Sequence, residues 1–299
     1  MAIIPQAAIP KLVLPSAIDV KPPQFQYEQY EKEHKDWLAS KKGESAWRTE
    51  QRRRWVVGCD GLSGIHYFYL TQVKIKDSDG NMIRPMWRDV DTTTLDTFLE
   101  CLNDEIDFYV FKRREIGLSS IFGGLIPLWI SIVYTGSTSL MTSADLTRVN
   151  DLLANKFVAQ HTALEDWVQS KRKTYDTKKG HVKLGEIDED GKETGNVAEV
   201  VCRQTSQDKK DITNLEGARA KYAFLDELFL HPYPEEVRGS VESCLMKGLA
   251  RTGIMVAGGS AGSVSRLGLK QARAIWDSAV HGAVKCMFIS GALGITEAT

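Results

Sequence analysis

The sequence is short of cysteine and has no excess of charge of one sign. Its five cysteines stand far apart without a C-x-x-C pair, which excludes a disulfide framework and a zinc ribbon and predicts reduced thiols in a cytosolic protein. The formal net charge is −1, so a generally basic nucleic-acid binder is excluded. A nucleic-acid partner would have to bind to a local basic patch or to an assembly of several copies.

Long hydrophobic runs are also scarce. One uncharged stretch stands out, from Ile116 to Met141. A membrane helix needs about 20 predominantly apolar residues, and the length suffices. However, glycines, serines and a proline interrupt the segment, and no second span follows. The N-terminal residues "MAIIPQAAIPKLVLP" lack a basic start and a cleavage site, so they predict an extended arm and not a signal peptide. The sequence therefore favours a buried helix and no membrane partner.

The composition is that of an ordinary globular protein. Of 299 residues, 42% are hydrophobic and 26% charged, which allows one large α/β domain, with or without an appendage. Short apolar runs alternate with helical segments and predict a mostly parallel β-sheet flanked by helices. The predicted strands are 64–75, 107–111, 138–143, 198–204, 222–227 and 253–259, and one helix is predicted over 92–103.

A phosphate-binding loop is indicated at residues 112–120, "KRREIGLSS". In the pattern G-x-x-x-x-G-K-[ST], backbone N–H groups hold the phosphates, the lysine meets their charge and the hydroxyl binds Mg²⁺. Gly117 and Ser119 fit this pattern, whereas Lys112 takes the place of the first glycine and Leu118 that of the lysine. The basic residues that precede Gly117 are expected to supply the missing cation, because an arginine grips phosphate oxygens with its planar fork. The predicted nucleotide-binding residues are Lys112, Arg113, Arg114, Glu115, Ile116, Gly117, Leu118, Ser119, Ser120 and Asp226.

A pair of acids follows the predicted strand in "KYAFLDELF". Asp226, at the carboxyl end of this strand, is expected to hold Mg²⁺ together with Ser119, and Glu227 to polarise the attacking water. An acidic pair at a helix start is the simpler alternative when this motif is taken alone. Together with the loop, the pair favours a nucleotide hydrolase that uses ATP and Mg²⁺.

A glycine-rich turn follows the strand "GIMVAGG", 32 residues after Asp226. Gly258, Gly259 and Ser260 are expected at the same edge of the sheet, where small residues can approach the γ-phosphate and respond to its loss. Taken alone, a flexible glycine-serine loop explains these residues equally well.

The motifs "KRREIGLSS", "AFLDE" and "VAGGSAG", in this order, resemble the ATPase portion of the large terminase subunit, the DNA-packaging motor of tailed bacteriophages. Arg114, Gly117 and Ser119 match that family's Walker A form R-Q-x-G-x-[ST], with Glu115 in the place of the Gln. "AFLDE" is similar to its Walker B with a catalytic glutamate, and "GGSAG" to its coupling motif. The resemblance covers roughly residues 50–280.

The resemblance implies a P-loop NTPase fold of the additional-strand, catalytic-glutamate type. It implies an enzyme, a hydrolase that uses ATP to translocate double-stranded viral DNA into a procapsid, with Glu227 and Arg114 catalytic. It further implies self-association into a pentameric ring, the portal protein and the small terminase subunit as partners, and a place in the host cytoplasm at the procapsid portal. The basic clusters Lys171–Lys173 and Lys209–Lys210 are the predicted DNA contacts, although each is also explained as a solvated face.

Three family features are missing or replaced. The adenine-reading Gln has no counterpart, and its region offers Arg88, Asp89 and Asp91 instead. The usual trans-acting arginine position holds Glu216–Gly217, so Arg219 is the substitute candidate. After Gly258 the only acids are Asp277 and Glu297, so we expect no nuclease domain and no DNA cleavage from this chain.

These features divide the chain into an N-terminal arm with a helical lid segment, 1–55, and the P-loop ATPase domain, 56–299. Two other functions stay open. One is a helicase-like nucleic-acid-dependent ATPase with the same core. The other is a phage assembly protein whose nucleotide site is vestigial, because Leu118 stands at the lysine position.

Overall fold

The computed structural model describes residues 27–40, 43–77, 79–86, 88–112, 117–169, 172–176, 180–187, 189–190, 192–205, 208, 212, 219–260, 266–279, 282 and 284–289. Several predicted features lie outside these ranges: the N-terminal arm, Arg113 to Ile116, Lys171, Lys209–Lys210 and Glu216–Gly217.

The helices of the described residues, in chain order, are α1 (Tyr27–Ala39), α2 (Gly43–Val57), α3 (Gly64–Gln72), α4 (Asp89–Asp104), α5 (Leu118–Ser120), α6 (Ile126–Val133), α7 (Leu146–Asp151), α8 (Ala159–Thr162), α9 (Pro234–Cys244) and α10 (Arg266–Ala279). The π-helical segment Ile121–Leu125 joins α5 to α6, the π-helical segment Leu152–Val158 joins α7 to α8, and a 3₁₀ turn spans Leu228–Leu230.

The strands are β1 (Ile75–Lys76), β2 (Met82–Ile83), β3 (Asp107–Lys112), β4 (Thr138–Ser143), β5 (Arg172–Asp176), β6 (His181–Ile187), β7 (Glu193–Gln204), β8 (Tyr222–Asp226), β9 (Met246–Lys247), β10 (Ala250–Arg251), β11 (Ile254–Ser260) and β12 (Val284–Ile289). β1 pairs with β2 and β9 with β10 as two small antiparallel ribbons.

The central sheet has the strand order β12-β3-β11-β8-β4-β7-β6-β5. From β12 to β7 neighbouring strands run parallel, and β6 and β5 extend the sheet in antiparallel fashion. Every residue of β3 and of β8 is buried, as expected for parallel strands covered by helices on both faces. The predicted α/β class with a mostly parallel sheet is confirmed. One strand, β11, separates β3 from β8, which is the expected additional strand.

The uncharged stretch forms a buried helical segment. Residues 118–133 are helical throughout, and nearly all of their side chains are buried. Gly123 and Gly124 permit close packing, because a Cβ at either position would overlap Leu152 or the side-chain amide of Gln160. Among the described residues, no helix is long and apolar enough to cross a membrane.

The predicted strand at 64–75 is wrong for most of its length. Residues 64–72 form α3, in which every residue is buried, and only Ile75 belongs to a strand, the short β1. A helix that is buried on all sides lacks the 3.6-residue alternation of apolar and polar faces, so its aromatic and β-branched residues resemble a strand in the sequence.

The N-terminal helices belong to the same hydrophobic core as the sheet. Trp47 and Trp55 are 1% exposed and cluster with residues of α3, α4 and α6. Trp129 of α6 donates a hydrogen bond from Nε1 to the Trp55 carbonyl at 2.8 Å. The predicted boundary at residue 55 falls inside α2, and the division into two domains stays a prediction.

Candidate functional site

The predicted site residues lie at the carboxyl ends of three adjacent parallel strands. In the sheet register Ser260 of β11 pairs with Lys112 of β3, and Gly258 pairs with Asp226 of β8. In an open α/β sheet, ligands bind at this edge of the strands. The structure therefore brings together the ends of the predicted phosphate loop strand, acidic strand and glycine-rich strand.

The phosphate-loop segment is described at both of its ends. Lys112 is 8% exposed at the end of β3. Gly117 has a φ of +79° and precedes α5, a conformation that glycine adopts without strain. Ser119 and Ser120 are partly exposed on the first turn of the helical segment. The roles of Arg113, Arg114, Glu115 and Ile116 stay predictions, because these residues lie outside the described ranges.

Leu118 does not face the site. Its side chain is 1% exposed and belongs to the hydrophobic core. The position of the usual lysine is therefore occupied by a core residue, and any cation that meets the phosphates must come from elsewhere.

Asp226 is a buried carboxyl group at the end of β8. Burial and the neighbouring Glu227 raise its pKa to about 6, while Lys112 and Arg148 act in the opposite direction. A carboxylate that burial destabilises is stabilised by a nearby cation. Lys112 and Asp226 are thus electrostatic neighbours across the strand that lies between them.

Glu227 adopts the left-handed backbone conformation, with φ +52° and ψ +41°. For a residue other than glycine this conformation costs about 1 kcal/mol or more. Its carboxylate is 12% exposed and lies 3.7 Å from the Arg148 guanidinium, measured from Oε1 to Nη1. Backbone strain of this kind clusters at functional sites, so the sharp turn supports a role for Glu227 beyond that of a helix-start acid.

Gly259 leaves room for Glu227. A Cβ at Gly259 would lie 3.3 Å from Glu227 Oε2 and 3.2 Å from Phe229, both tighter than ordinary contacts. At Gly258 the nearest atom to an added Cβ is the Val110 carbonyl oxygen at 3.4 Å. The glycine-rich strand therefore contacts the acidic turn directly, while its proposed coupling role stays a prediction.

A small pocket opens beside the two acids at the ends of β4 and β8, lined by Thr142, Thr205, Asp226, Glu227 and His231 among others. The Thr142 hydroxyl is buried and has no hydrogen-bond partner among the described residues. A buried, unsatisfied hydroxyl is commonly hydrated, so the pocket suits ordered water next to Glu227.

Arg219 lies apart from these residues. It is exposed and precedes Ala220, whose N–H bonds to the Cys244 carbonyl at the amino end of β8. The acids lie at the other end of the strand, so Arg219 does not belong to the site of its own chain. Its action on a neighbouring copy stays a prediction.

Two arginines that motif reasoning left unassigned lie next to the predicted residues. Arg148 of α7 faces Glu227 because α7 begins just after β4, the neighbour of β8. Arg88, which precedes α4, lies against Gly117. The contact of Arg148 could be deduced from the sequence only if β4, which precedes α7, had been placed beside β8. Nothing in the local sequence indicated that Arg88 contacts Gly117.

The donor set fits a magnesium ion accompanied by phosphates. Mg²⁺ prefers oxygen ligands and is usually held by one or two carboxylates with substrate oxygens and water. Asp226 supplies a buried carboxylate and Ser119 a partly exposed hydroxyl. No cluster of three or more His, Cys, Asp or Glu side chains occurs within the described ranges, so an all-protein metal cage is not found there.

No protein-family model and no curated protein sequence matches the chain. Similar solved structures are large terminases of the class that the motifs resemble. The ATPase domain of the Thermus phage P74-26 large terminase has a TM-score of 0.42 and 15% identity, covering 53% of this chain and 61% of that one. The bacteriophage HK97 large terminase has a TM-score of 0.44 and 11% identity, covering 75% and 43%.

A third similar structure, the large terminase of another thermophilic bacteriophage, has a TM-score of 0.43 and 11% identity, covering 66% of this chain and 45% of that one. That protein was also solved in complex with ATP-gamma-S. The match spans about three-fifths of the P74-26 domain and less than half of the other two chains. At these identities and TM-scores the similarity does not extend to the roles of individual residues.

Proposed function

We propose that this protein is an ATP hydrolase that drives the translocation of double-stranded viral DNA, the motor part of a large terminase. The observation that carries the proposal is the strained Asp226–Glu227 turn at the end of β8. It lies one strand away from the end of β3, where the phosphate-loop segment begins. The motif resemblance supports the choice of ATP and DNA.

In this proposal the phosphates lie over the segment between Lys112 and Ser120, where Arg114 and Lys112 offset their charge. Asp226 and Ser119 would hold Mg²⁺, whose chemistry there is neutralisation of the charge that develops on the β- and γ-phosphate oxygens. Glu227, in its strained backbone conformation, accepts the proton of the attacking water. Gly258, Gly259 and Ser260, at the carboxyl end of β11, respond to the loss of the γ-phosphate.

Arg148 acts on Glu227 in this scheme. Its guanidinium lies at ion-pair distance from the Glu227 carboxylate and lowers the pKa of Asp226. Arg148 therefore favours the ionised form of Asp226, which a metal ligand requires.

The partners follow from the proposed role. They are double-stranded DNA, a portal protein, the small terminase subunit and further copies of this chain in a pentameric ring, with Arg219 reaching the next copy. The work would take place in the host cytoplasm at the procapsid portal.

The burial of Leu118 favours a second candidate, an assembly protein with a vestigial nucleotide site. The deciding experiment is Mg²⁺-dependent ATP hydrolysis by the wild type, Arg114→Ala and Glu227→Gln, with and without DNA, beside calorimetric nucleotide binding. We expect both variants to lose hydrolysis, by about a hundredfold or more for Glu227→Gln, while Glu227→Gln still binds ATP. Wild-type protein that neither binds nor hydrolyses ATP at high concentration would contradict the ATPase proposal and favour the vestigial alternative.

A further inference from the structure

Arg88 and Asp91 form a two-pronged ion pair at the start of α4. Arg88 Nε lies 2.8 Å from Asp91 Oδ2, and Arg88 Nη2 lies 2.5 Å from Asp91 Oδ1. The Asp91 side chain is 1% exposed and that of Arg88 is 29% exposed. Because bidentate pairs fix the plane of the guanidinium, the buried carboxylate holds a partly exposed cation in one orientation.

The terminal nitrogens of this guanidinium lie against the phosphate-loop segment. A Cβ at Gly117 would be 3.7 Å from Arg88 Nη2 and 4.0 Å from Nη1. Both nitrogens therefore reach the residue at which the chain leaves the loop and enters the helical segment 118–133. This contact joins two elements that are separated in the sequence.

The position of Arg88 compensates for what the loop lacks. Leu118, in the place of the usual lysine, points into the core with 1% exposure. Lys112 is itself 8% exposed at the end of β3. Arg88 thus brings a cation to Gly117 from outside the loop.

The chemistry of a guanidinium favours phosphate over base as its ligand. Arginine only donates hydrogen bonds and phosphate oxygens only accept them. The edge of adenine presents both a donor and an acceptor, so a donor-only group matches it incompletely.

We propose that Arg88, oriented by Asp91, is a phosphate-binding residue of the nucleotide site and contacts the phosphate chain, not the base. This inference rests on the proposed nucleotide-binding function. It adds a binding residue from α4 that the loop motif does not contain.

The test is calorimetric binding of two probes in the presence of Mg²⁺, ATP and tripolyphosphate, since tripolyphosphate carries the phosphates without the base. The proteins are the wild type, Arg88→Ala, Arg88→Lys and the control Arg84→Ala. Arg84 is an exposed arginine four residues upstream that contacts Glu31 and the Tyr27 ring. We expect Arg88→Ala to weaken both probes by the same factor, about tenfold to a hundredfold. Arg88→Lys should be intermediate, and Arg84→Ala unchanged.

Each other outcome overturns the inference in a distinguishable way. Weaker ATP binding with unchanged tripolyphosphate binding would make Arg88 a base-reading residue. Unchanged binding of both probes would leave Arg88–Asp91 as a structural pair. A wild type that binds neither probe would remove the proposed function together with this inference. If Arg88→Ala fails to fold by circular dichroism, the comparison of Arg88→Lys with the wild type decides, because the lysine keeps the charge but loses the fork.

Discussion

The position of the Glu227 carboxylate depends on its backbone conformation, on an ion pair and on the space that a neighbouring glycine leaves. The left-handed backbone conformation fixes where the side chain leaves the chain. Arg148 approaches one oxygen at 3.7 Å, and the missing side chain of Gly259 leaves space for the other. The backbone and the ion pair restrain this carboxylate, and a general base is more effective when it is preorganised.

The first prediction follows from that space. Gly259→Ala should displace the Glu227 carboxylate and lower the rate of ATP hydrolysis by about tenfold to a hundredfold, since a shift of about 1 Å can cost a hundredfold. Nucleotide binding should change much less. The matched control is Gly239→Ala in α9, whose added methyl group meets nothing within 4 Å. Equal losses of hydrolysis in both variants would contradict a specific contact with Glu227.

His66 gives a prediction about pH and stability. It is completely buried in α3, and burial lowers its pKa to about 4, against about 6.5 in an unfolded chain. Between these two values the unfolded state binds more protons, so the free energy of unfolding falls as the pH falls from about 6.5 towards 4. The full loss is about 3 kcal/mol.

Denaturant unfolding of the wild type and His66→Leu between pH 7 and pH 4.5 measures this contribution. We expect His66→Leu to have the smaller dependence on pH, whatever its stability at pH 7. The control Phe68→Leu replaces a buried side chain of the same helix that does not titrate and should retain the wild-type dependence. If the wild type and His66→Leu had parallel curves, His66 would not be the group that titrates.

The strands of the sheet were easier to predict from the sequence than α3. β3, β4, β8 and β11 are short apolar runs that end in turn residues, and a parallel sheet requires that pattern. In α3 the burial of every residue removes the periodicity by which a helix is recognised. β12 was not predicted, because Lys285 interrupts its apolar run one residue after the run begins.

The candidate site was predictable as far as strand ends determine it. Asp226 and Gly258 meet because their strands are parallel neighbours, and the order of the motifs implied that edge. The contacts of Arg148 and Arg88 were not predictable. Each depends on how a helix packs beside the sheet, and side chains that are distant in sequence leave no local pattern.

A buried ion pair at the opposite end of the sheet supplies the next prediction. Asp107, at the start of β3, pairs with Arg251 and accepts the Met255 N–H at 3.0 Å. The Asp107 carboxylate is 6% exposed, and burial raises its pKa while Arg251 lowers it. Arg251→Ala should lower the free energy of unfolding by about 3 kcal/mol, because it leaves a buried carboxylate without its partner.

The comparison variant for that measurement is Lys285→Ala on the adjacent strand β12. Lys285 forms an exposed pair with Glu100 at 2.8 Å, with side chains 48% and 41% exposed, and its loss should cost less than about 1 kcal/mol. Denaturant unfolding gives both values. Similar costs for the two variants would show that the Asp107–Arg251 pair is as well solvated as a surface pair.

At the scale of the whole molecule, net charge limits how a single copy can act on DNA. With a formal net charge of −1, one copy has no general attraction to a polyanion, so its contacts must be few and local. A ring of copies multiplies such contacts on one duplex and raises the overall affinity. The proposed motor is therefore expected to bind DNA appreciably only when several copies act together.

The last prediction concerns the binding of a fluorescent DNA duplex at increasing protein concentration and at two salt concentrations. Binding should rise more steeply than for independent copies and weaken strongly from about 50 to 200 mM salt, because each phosphate contact releases counterions. Charge reversal of the basic residues in 171–173 and 209–210 should reduce both the affinity and the salt dependence. The control reverses Lys32 and Lys35, both exposed on α1. Further exposed lysines are reversed with them until the change in net charge equals that of the test set. If the two sets of substitutions weakened DNA binding equally, the affinity would depend on the total charge of the protein. The assignment of those clusters as DNA contacts would then be wrong.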